Sequence, residues 1–159
     1  MLRVTIRRLT GADSERYSLR YLRLLEQLTD MSGVSDAMLK KYFSLSMDEG
    51  FWVFGAFTEV GEASDLLGIT SVHFRRHMKG FAACIEDVVV DEPHRLEGIC
   101  RQLIEHVEGL MPSFSEAPRF QSYGIYKVVL QSAPDAEGLY ERKLGYKPDE
   151  KGFRKNRWW

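Results

Sequence analysis

Val4, Ile6 and Leu9 open the chain with a weak apolar alternation, which predicts a first strand. Asp13 stands where a helix cap is expected, and Tyr17, Tyr21, Leu24, Leu25 and Leu28 then recur at helical spacing. After a polar break from Thr29 to Gly33, Ser35 is placed to cap a second short helix. Its expected buried face is Met38, Leu39, Tyr42 and Phe43. FWVFGAFT (Phe51 to Thr58) and LLGITSVHF (Leu66 to Phe74) are rich in aromatic and β-branched residues, and the Gly- and acid-containing stretch between them predicts a hairpin. CIEDVVV (Cys84 to Val90) reads as a third such strand, followed by a helix from Gly98 to Leu110 with Ile99, Leu103, Ile104 and Val107 on one face. Met111 to Gly124 is the one long loop. YKVVL (Tyr126 to Leu130) returns as a strand, DAEGLYERKLGY as a short helix, and the tail to Trp159 as a last strand. This order predicts an α+β domain spanning residues 1–159, with a mixed, mostly antiparallel sheet flanked by helices.

Composition narrows the functions such a domain can serve. The chain of 159 residues is 44% hydrophobic and 28% charged, ordinary values for one globular domain. With 22 basic and 23 acidic residues the net charge is −1, which argues against nucleic acid or a membrane surface as the main partner. No apolar run reaches the roughly 18 residues of a membrane span. The start MLRVTIRRLT lacks the pattern of a secretory signal, so a cytoplasmic protein is expected. Cys84 and Cys100 give neither a disulfide framework nor metal-ligand spacing, and no metal is expected.

The stretch VVVDEPHRLEGICRQLIEHV, Val88 to Val107, carries the first chemical signal. A helix N-terminus leaves backbone N–H groups without intrahelical partners, and the macrodipole adds partial positive charge there. Phosphates bind such ends, provided the residues are small enough for close approach, as Gly98 is. Arg95 and Arg101 are placed to add charge-assisted hydrogen bonds. On spacing alone, a plain strand-to-helix turn with two solvated arginines explains the pattern equally well.

Arg95-Leu96-Glu97-Gly98-Ile99-Cys100 resembles the Arg/Gln-x-x-Gly-x-Gly/Ala pyrophosphate loop of the GNAT acetyltransferases. Four further segments look like those of the glucosamine 6-phosphate N-acetyltransferases in that superfamily. They are LLEQLT (Leu24 to Thr29), IEDVVV (Ile85 to Val90), IYKVVL (Ile125 to Leu130) and LYERKLGY (Leu139 to Tyr146). What the resemblance implies is transfer of the acetyl group of acetyl-coenzyme A to the amine of glucosamine 6-phosphate, on the way to UDP-N-acetylglucosamine, by direct attack in a ternary complex. It implies a homodimer as well. By the same resemblance, Val88, Val89 and Val90 bind the pantetheine, residues Arg95, Leu96, Glu97, Gly98, Ile99, Cys100 and Arg101 bind the pyrophosphate, and Tyr140 hydrogen-bonds the leaving sulfur. A phenol of pKa about 10 beside a thiol of about 8.5 is then expected to serve as the acid.

The resemblance also assigns the sugar phosphate to Thr29, Arg75, Arg76, His77, Tyr126, Lys127 and Arg157. Glu86 and Asp87 are candidates to meet the sugar hydroxyls or amine, and Glu86 and Gln131 join Tyr140 as expected catalytic residues. Glu86 and Asp87 occupy adjacent strand positions, so alternation predicts side chains on opposite faces. Their setting among Ile85, Val88, Val89 and Val90 makes burial without a purpose costly. Several positions depart from the family: Gln131 stands where relatives carry an acid assisting transfer, Ala136 where an asparagine meets coenzyme A, Cys100 where Gly or Ala is usual and Leu96 where a glycine often stands, and the Arg75 to His77 match is inexact. The tail from Phe153 to Trp159, with Arg154, Lys155, Arg157 and two tryptophans, suits an interface, and Arg157 is expected to act in trans. A GNAT enzyme for another amine and a non-catalytic acyl-coenzyme A module remain as alternatives.

Overall fold

The protein's structure, a computed structural model, describes residues 4–45, 50–58, 64–116, 124–131 and 137–148, with backbone alone at 43–45 and 114–116. In chain order these form β1 (Val4–Arg8), α1 (Ser14–Glu26), α2 (Asp36–Leu45), β2 (Phe51–Thr58), β3 (Leu66–His77), β4 (Gly80–Val90), α3 (Ile99–Glu116), β5 (Ile125–Leu130) and α4 (Glu137–Leu144). The strands make one sheet in the order β1-β2-β3-β4-β5. Neighbours are antiparallel except for β4 and β5, which run parallel. A parallel pair needs a crossover, and α3 supplies it. This is the α+β, mostly antiparallel arrangement that the apolar pattern predicts.

Strand alternation divides the core in two. On one face Val53, Ile69 and Val89 meet Tyr17, Tyr21, Leu24 and Leu25 of α1 and Leu39 of α2. On the other, Phe54, Val72, Ala83 and Ile85 meet Ile104, Val107 and Met111 of α3 and Tyr140 of α4. Gly68 of β3 lets the start of α3 settle close. A Cβ built there would lie 3.0 Å from the Val89 carbonyl oxygen and 3.3 Å from Leu103.

Several local expectations change. Asp13 does not cap α1 with its side chain. Its carboxylate instead accepts the Thr10 N–H at 2.8 Å and both ends of the Arg7 fork, closing a short 3-10 turn at Gly11–Asp13. Ser35 does cap α2, accepting the Met38 N–H at 3.2 Å. Met38 and Leu28 are exposed, since the buried stripes of their helices centre on Leu39 and on Leu24 with Leu25. β3 runs on to His77 and β4 begins at Gly80, because ladder pairing is made by backbone and tolerates the polar side chains of Arg75, Arg76 and His77. α3 continues through Pro112 to Glu116, so the first part of the expected loop is helix. Pro112 forfeits one intrahelical bond, while buried Met111 beside it keeps the turn against the sheet. The expected last strand lies outside the described residues. No helix among them is long and apolar enough to cross a membrane.

Candidate active site

Between Ile69 and Ser71, β3 advances two residues while its partner β4 advances three, from Val89 to Glu86. The extra residue is a β-bulge, and Asp87 within it takes φ +50°, a conformation that costs energy for a non-glycine residue. A bulge kinks its strand. β5 pairs with β4 only from Phe81 to Ile85, so Glu86 to Val90 have no β5 partner among the described residues. Past the end of the β5 pairing, the backbone of β4 from Glu86 to Val90 therefore presents an open edge among the described residues. An extended, amide-bearing chain inserted there gains strand-like hydrogen bonds.

β4 leads directly into the helix start. Gly98, at φ +82°, accepts the Gln102 N–H through its carbonyl at 3.1 Å and so begins α3. The first backbone N–H groups of α3 lack intrahelical acceptors. Ile99 is 1% exposed and packs into the core, which pins the helix end to the sheet. Leu96 also has positive φ (72°) and its side chain is fully exposed. The side chains of the other loop residues have partners within the protein. Arg95 donates to the Val90 carbonyl at 3.2 Å and to Gln27 at 3.1 Å. Glu97 pairs with His94 at 3.3 Å, and Arg101 with Glu105 at 2.7 Å. The loop thus offers backbone N–H groups, flanked rather than filled by arginines.

The bulge overturns the opposite-face expectation for Glu86 and Asp87. Ser71 pairs with Glu86 across the ladder and therefore shares its face, and the Ser71 hydroxyl donates to Asp87 Oδ2 at 3.0 Å. Both carboxylates act on Tyr42 as well. Burial first, and then these two charges, push the Tyr42 phenol up to about 12, against the opposing bond from Tyr21. The extra residue turns Asp87 to the side that simple alternation denies it. Glu86 also meets His73 at 3.5 Å.

Further along the same face lies positive charge. The Cys84 thiol, raised chiefly by burial, feels Arg75 and Lys127 from one direction and Glu86 from another. Arg75 donates to His77 at 3.2 Å, and the His77 ring meets Tyr126 edge-on at 5.8 Å. Lys127 Nζ lies 5.9 Å from the centre of the Tyr126 ring. Arg76 alternates to the opposite side of β3 and is exposed. Thr29 lies just past α1, its N–H on the Leu25 carbonyl at 2.9 Å. Gln131 is exposed at the end of β5. Arg157 and Ala136 lie outside the described residues. Sequence reasoning missed Ser71, His73, Tyr42 and Gln27. The period-2 alternation from Ser71 to Arg75 would have pointed to the first two, whereas Tyr42 and Gln27 are reached only through tertiary contact.

Tyr140 projects from α4 into the α3 side of the core and is 7% exposed. Its hydroxyl hydrogen-bonds the Cys100 thiol, and burial, followed by this neighbour, raises the phenol well above its usual value. Burial raises Cys100 too, against the bond from Tyr140. The α4 end is fixed by Gly145 at φ +73°, by the Tyr146 N–H on the Tyr140 carbonyl at 3.0 Å, and by the Tyr146 hydroxyl donating to Glu108. No group of three or more metal-ligating side chains occurs among the described residues. A groove of about 390 Å³ between α1 and α2 is lined by Glu15, Arg16, Ser18, Leu19, Asp36 and Lys40, and none of the residues above borders it.

An open strand edge running into an N–H-rich helix start can seat an extended, amide-bearing chain that ends in an anion. Residues 19–146 match the acetyltransferase (GNAT) family, and the chain belongs to it, with acetyl-coenzyme A as the acetyl donor. Among solved structures it is similar to a Trypanosoma brucei acetyltransferase, with 25% identity, TM-score 0.75, and coverage of 98% of this chain and 100% of that one. A glucosamine-6-phosphate N-acetyltransferase from Arabidopsis thaliana shares 23% identity with TM-score 0.76, over 97% of this chain and 98% of that chain. An aminoglycoside acetyltransferase from an uncultured soil metagenomic sample, in complex with sisomicin, shares 19% identity with TM-score 0.65, over 98% and 95%.

Proposed function

We propose that this acetyltransferase acts on glucosamine 6-phosphate, giving N-acetylglucosamine 6-phosphate. The observation that carries the reading is the charge order along one face of the sheet. Glu86 and Asp87 stand on β4 just past the end of the β5 pairing, and Arg75 and Lys127 stand further along. Glu86 pairs with Ser71, four residues from Arg75, which is about 13 Å of strand before the side chains reach toward each other. A substrate with an ammonium at one end and a phosphate at the other matches that order. The sugar-phosphate acetyltransferase and the aminoglycoside acetyltransferase among the similar structures support an amino sugar as the class.

In this reading, Val88 to Val90 align the pantetheine, and the amides of residues 96–101 receive the pyrophosphate, the Arg95 N–H being donated to the Glu92 carbonyl. The bound ammonium first loses a proton, for which Glu86, paired with His73, is the acceptor in this reading. The amine then attacks the thioester carbonyl, and a backbone N–H at the bulge stabilises the oxyanion. As the C–S bond breaks, the nitrogen gives up its second proton, which ends on the coenzyme A sulfur. The role of Tyr140 shifts from the expectation. A phenol raised above its usual pKa is a poor proton donor to a thiolate, so Tyr140 serves best as a hydrogen-bond donor to the leaving sulfur. The sequence resemblance further supports a homodimer with Arg157 meeting the phosphate in trans. That part predicts recovered activity on mixing Arg157→Ala with Tyr140→Phe subunits.

Thiol release from acetyl-coenzyme A tests the reading. Release is expected to depend on glucosamine 6-phosphate and to be far weaker with glucosamine or an aminoglycoside. Equal rates with the unphosphorylated amines would transfer the assignment to another amino sugar, and no release with any amine would leave only an acyl-coenzyme A module.

A further inference from the structure

The loop from Arg95 to Cys100 is braced from outside, by the end of α1. Beyond β4, Asp91 extends the ladder through its N–H on the Leu67 carbonyl at 2.8 Å. Its carboxylate accepts from Arg20 at 2.6 Å and from Gln27 at 2.7 Å. The other end of the Gln27 carboxamide accepts twice, from the Glu92 N–H and from the Arg95 guanidinium, both at 3.1 Å. The orientation of this amide follows from chemistry. An ionised carboxylate can only accept, and a backbone N–H and a guanidinium can only donate.

Gln27 caps the C-terminus of α1 and is exposed, a position where a long polar side chain ordinarily samples many rotamers in water. Here three hydrogen bonds hold one rotamer. Through its Nε on the Val90 carbonyl, Arg95 ties the loop base back to β4, and Gln27 holds the other arm of its fork. Two residues follow at positive φ, Leu96 and Gly98. Leu96 pays a conformational cost that persists only where surrounding contacts enforce it.

We propose that Gln27 is a positioning residue for coenzyme A. Its carboxamide bridges Asp91 to Arg95 and so fixes residues 95–100 in the shape that receives the pyrophosphate. The inference rests on the pyrophosphate reading of the loop given above. Preorganisation of this kind raises affinity by removing ordering costs that binding would otherwise meet. Gln27 itself bonds Asp91, Glu92 and Arg95, and the bridge meets the pantetheine wall at one point, the Val90 carbonyl bonded by Arg95, so the pyrophosphate end is expected to feel its loss most.

Calorimetry on the full chain with two probes separates the outcomes: acetyl-coenzyme A, and S-acetylpantetheine, which lacks the pyrophosphate. Gln27→Ala is expected to weaken acetyl-coenzyme A by roughly 10- to 150-fold, the loss typical of hydrogen bonds to a charged partner. S-acetylpantetheine should change by less than about twofold. In an Arg95→Ala background the Gln27 effect should shrink to near nothing, since the two side chains act as one unit. Should Gln27→Ala fail to fold, Gln27→Met keeps the volume and removes the bridge, and the same selective loss is expected. Equal weakening of both probes, or none, would overturn the proposal and leave Gln27 as a staple of α1 to the sheet. A wild-type protein that binds the two probes equally well would instead sink the pyrophosphate reading, and the proposal with it.

Discussion

Tyr140 shows how much a single side chain's setting decides. The hydroxyl lies on the Cys100 thiol, at the helix start where the family usually has Gly or Ala, and burial keeps the phenol protonated far beyond its normal range. A neutral donor held in a dry pocket is suited to stabilising a developing thiolate. Tyr140→Phe is expected to lower kcat by about 10²–10³, the loss typical of one preorganised donor, while the dissociation constant for acetyl-coenzyme A stays within about twofold. Steady-state kinetics beside calorimetry checks this, and near-normal turnover would return Tyr140 to the core. At the same scale, the positive φ of Asp87 explains how two adjacent acids come to one face.

At the level of elements, the site is a junction of β3, β4 and the start of α3. Gly98 begins the helix at a backbone angle that a side chain resists, with the loop amides beside it. Gly98→Asp adds strain and sets a carboxylate among groups suited to an anion. Calorimetry is expected to find acetyl-coenzyme A binding weakened by at least tenfold in a folded variant, as repulsion at short range costs more than about 1.4 kcal/mol in a shielded site. Gly68→Ala acts from beneath. Its Cβ would press the Val89 carbonyl at 3.0 Å and the Leu103 side chain at 3.3 Å, so these neighbours must give by a few tenths of an ångström. Overpacking of this sort costs about 1–3 kcal/mol, seen as a lowered denaturant midpoint, with weaker coenzyme A binding alongside.

For the whole molecule, titration sets the stable range. Burial raises the phenols of Tyr21, Tyr42, Tyr140 and Tyr146 in the folded state. A group whose folded value exceeds its unfolded one, about 10 for tyrosine, stabilises fully below that pH and loses its contribution as pH rises past it. Asp13 and Asp91 run the other way. Burial alone would raise them, but bonds from Arg7 and Thr10 in one case, and from Gln27 and Arg20 in the other, outweigh it. Their contribution is complete above about pH 4 and fades as pH falls through the lowered folded values. Thermal unfolding against pH should therefore show a plateau with acid and alkaline limbs. Tyr146→Phe should make the alkaline limb shallower, and an unchanged limb would mean that Tyr146 does not titrate with unfolding.

Among the described residues, the main elements and their order were legible in the sequence, because periodicities of two and 3.6 residues are local facts that survive without knowing any partner. FWVFGAFT, IEDVVV and the Ile99, Leu103, Ile104, Val107 stripe were legible for this reason, whereas the Arg95 to Cys100 segment stood out by its likeness to a family loop, and its pyrophosphate role is the proposal made above. Element limits were less legible where polar residues such as Arg75 to His77 lie in a strand, since a ladder is held by backbone groups and places no demand on side-chain polarity. Tertiary structure alone decided the bulge that brings Glu86 and Asp87 to one face, because an extra strand residue is defined only against a partner's register. It also decided the bond between Cys100 and Tyr140 and the Gln27 bridge from Asp91 to Arg95. Those groups lie tens of residues apart in the chain, and their pairing depends on which helix packs on which face of the sheet.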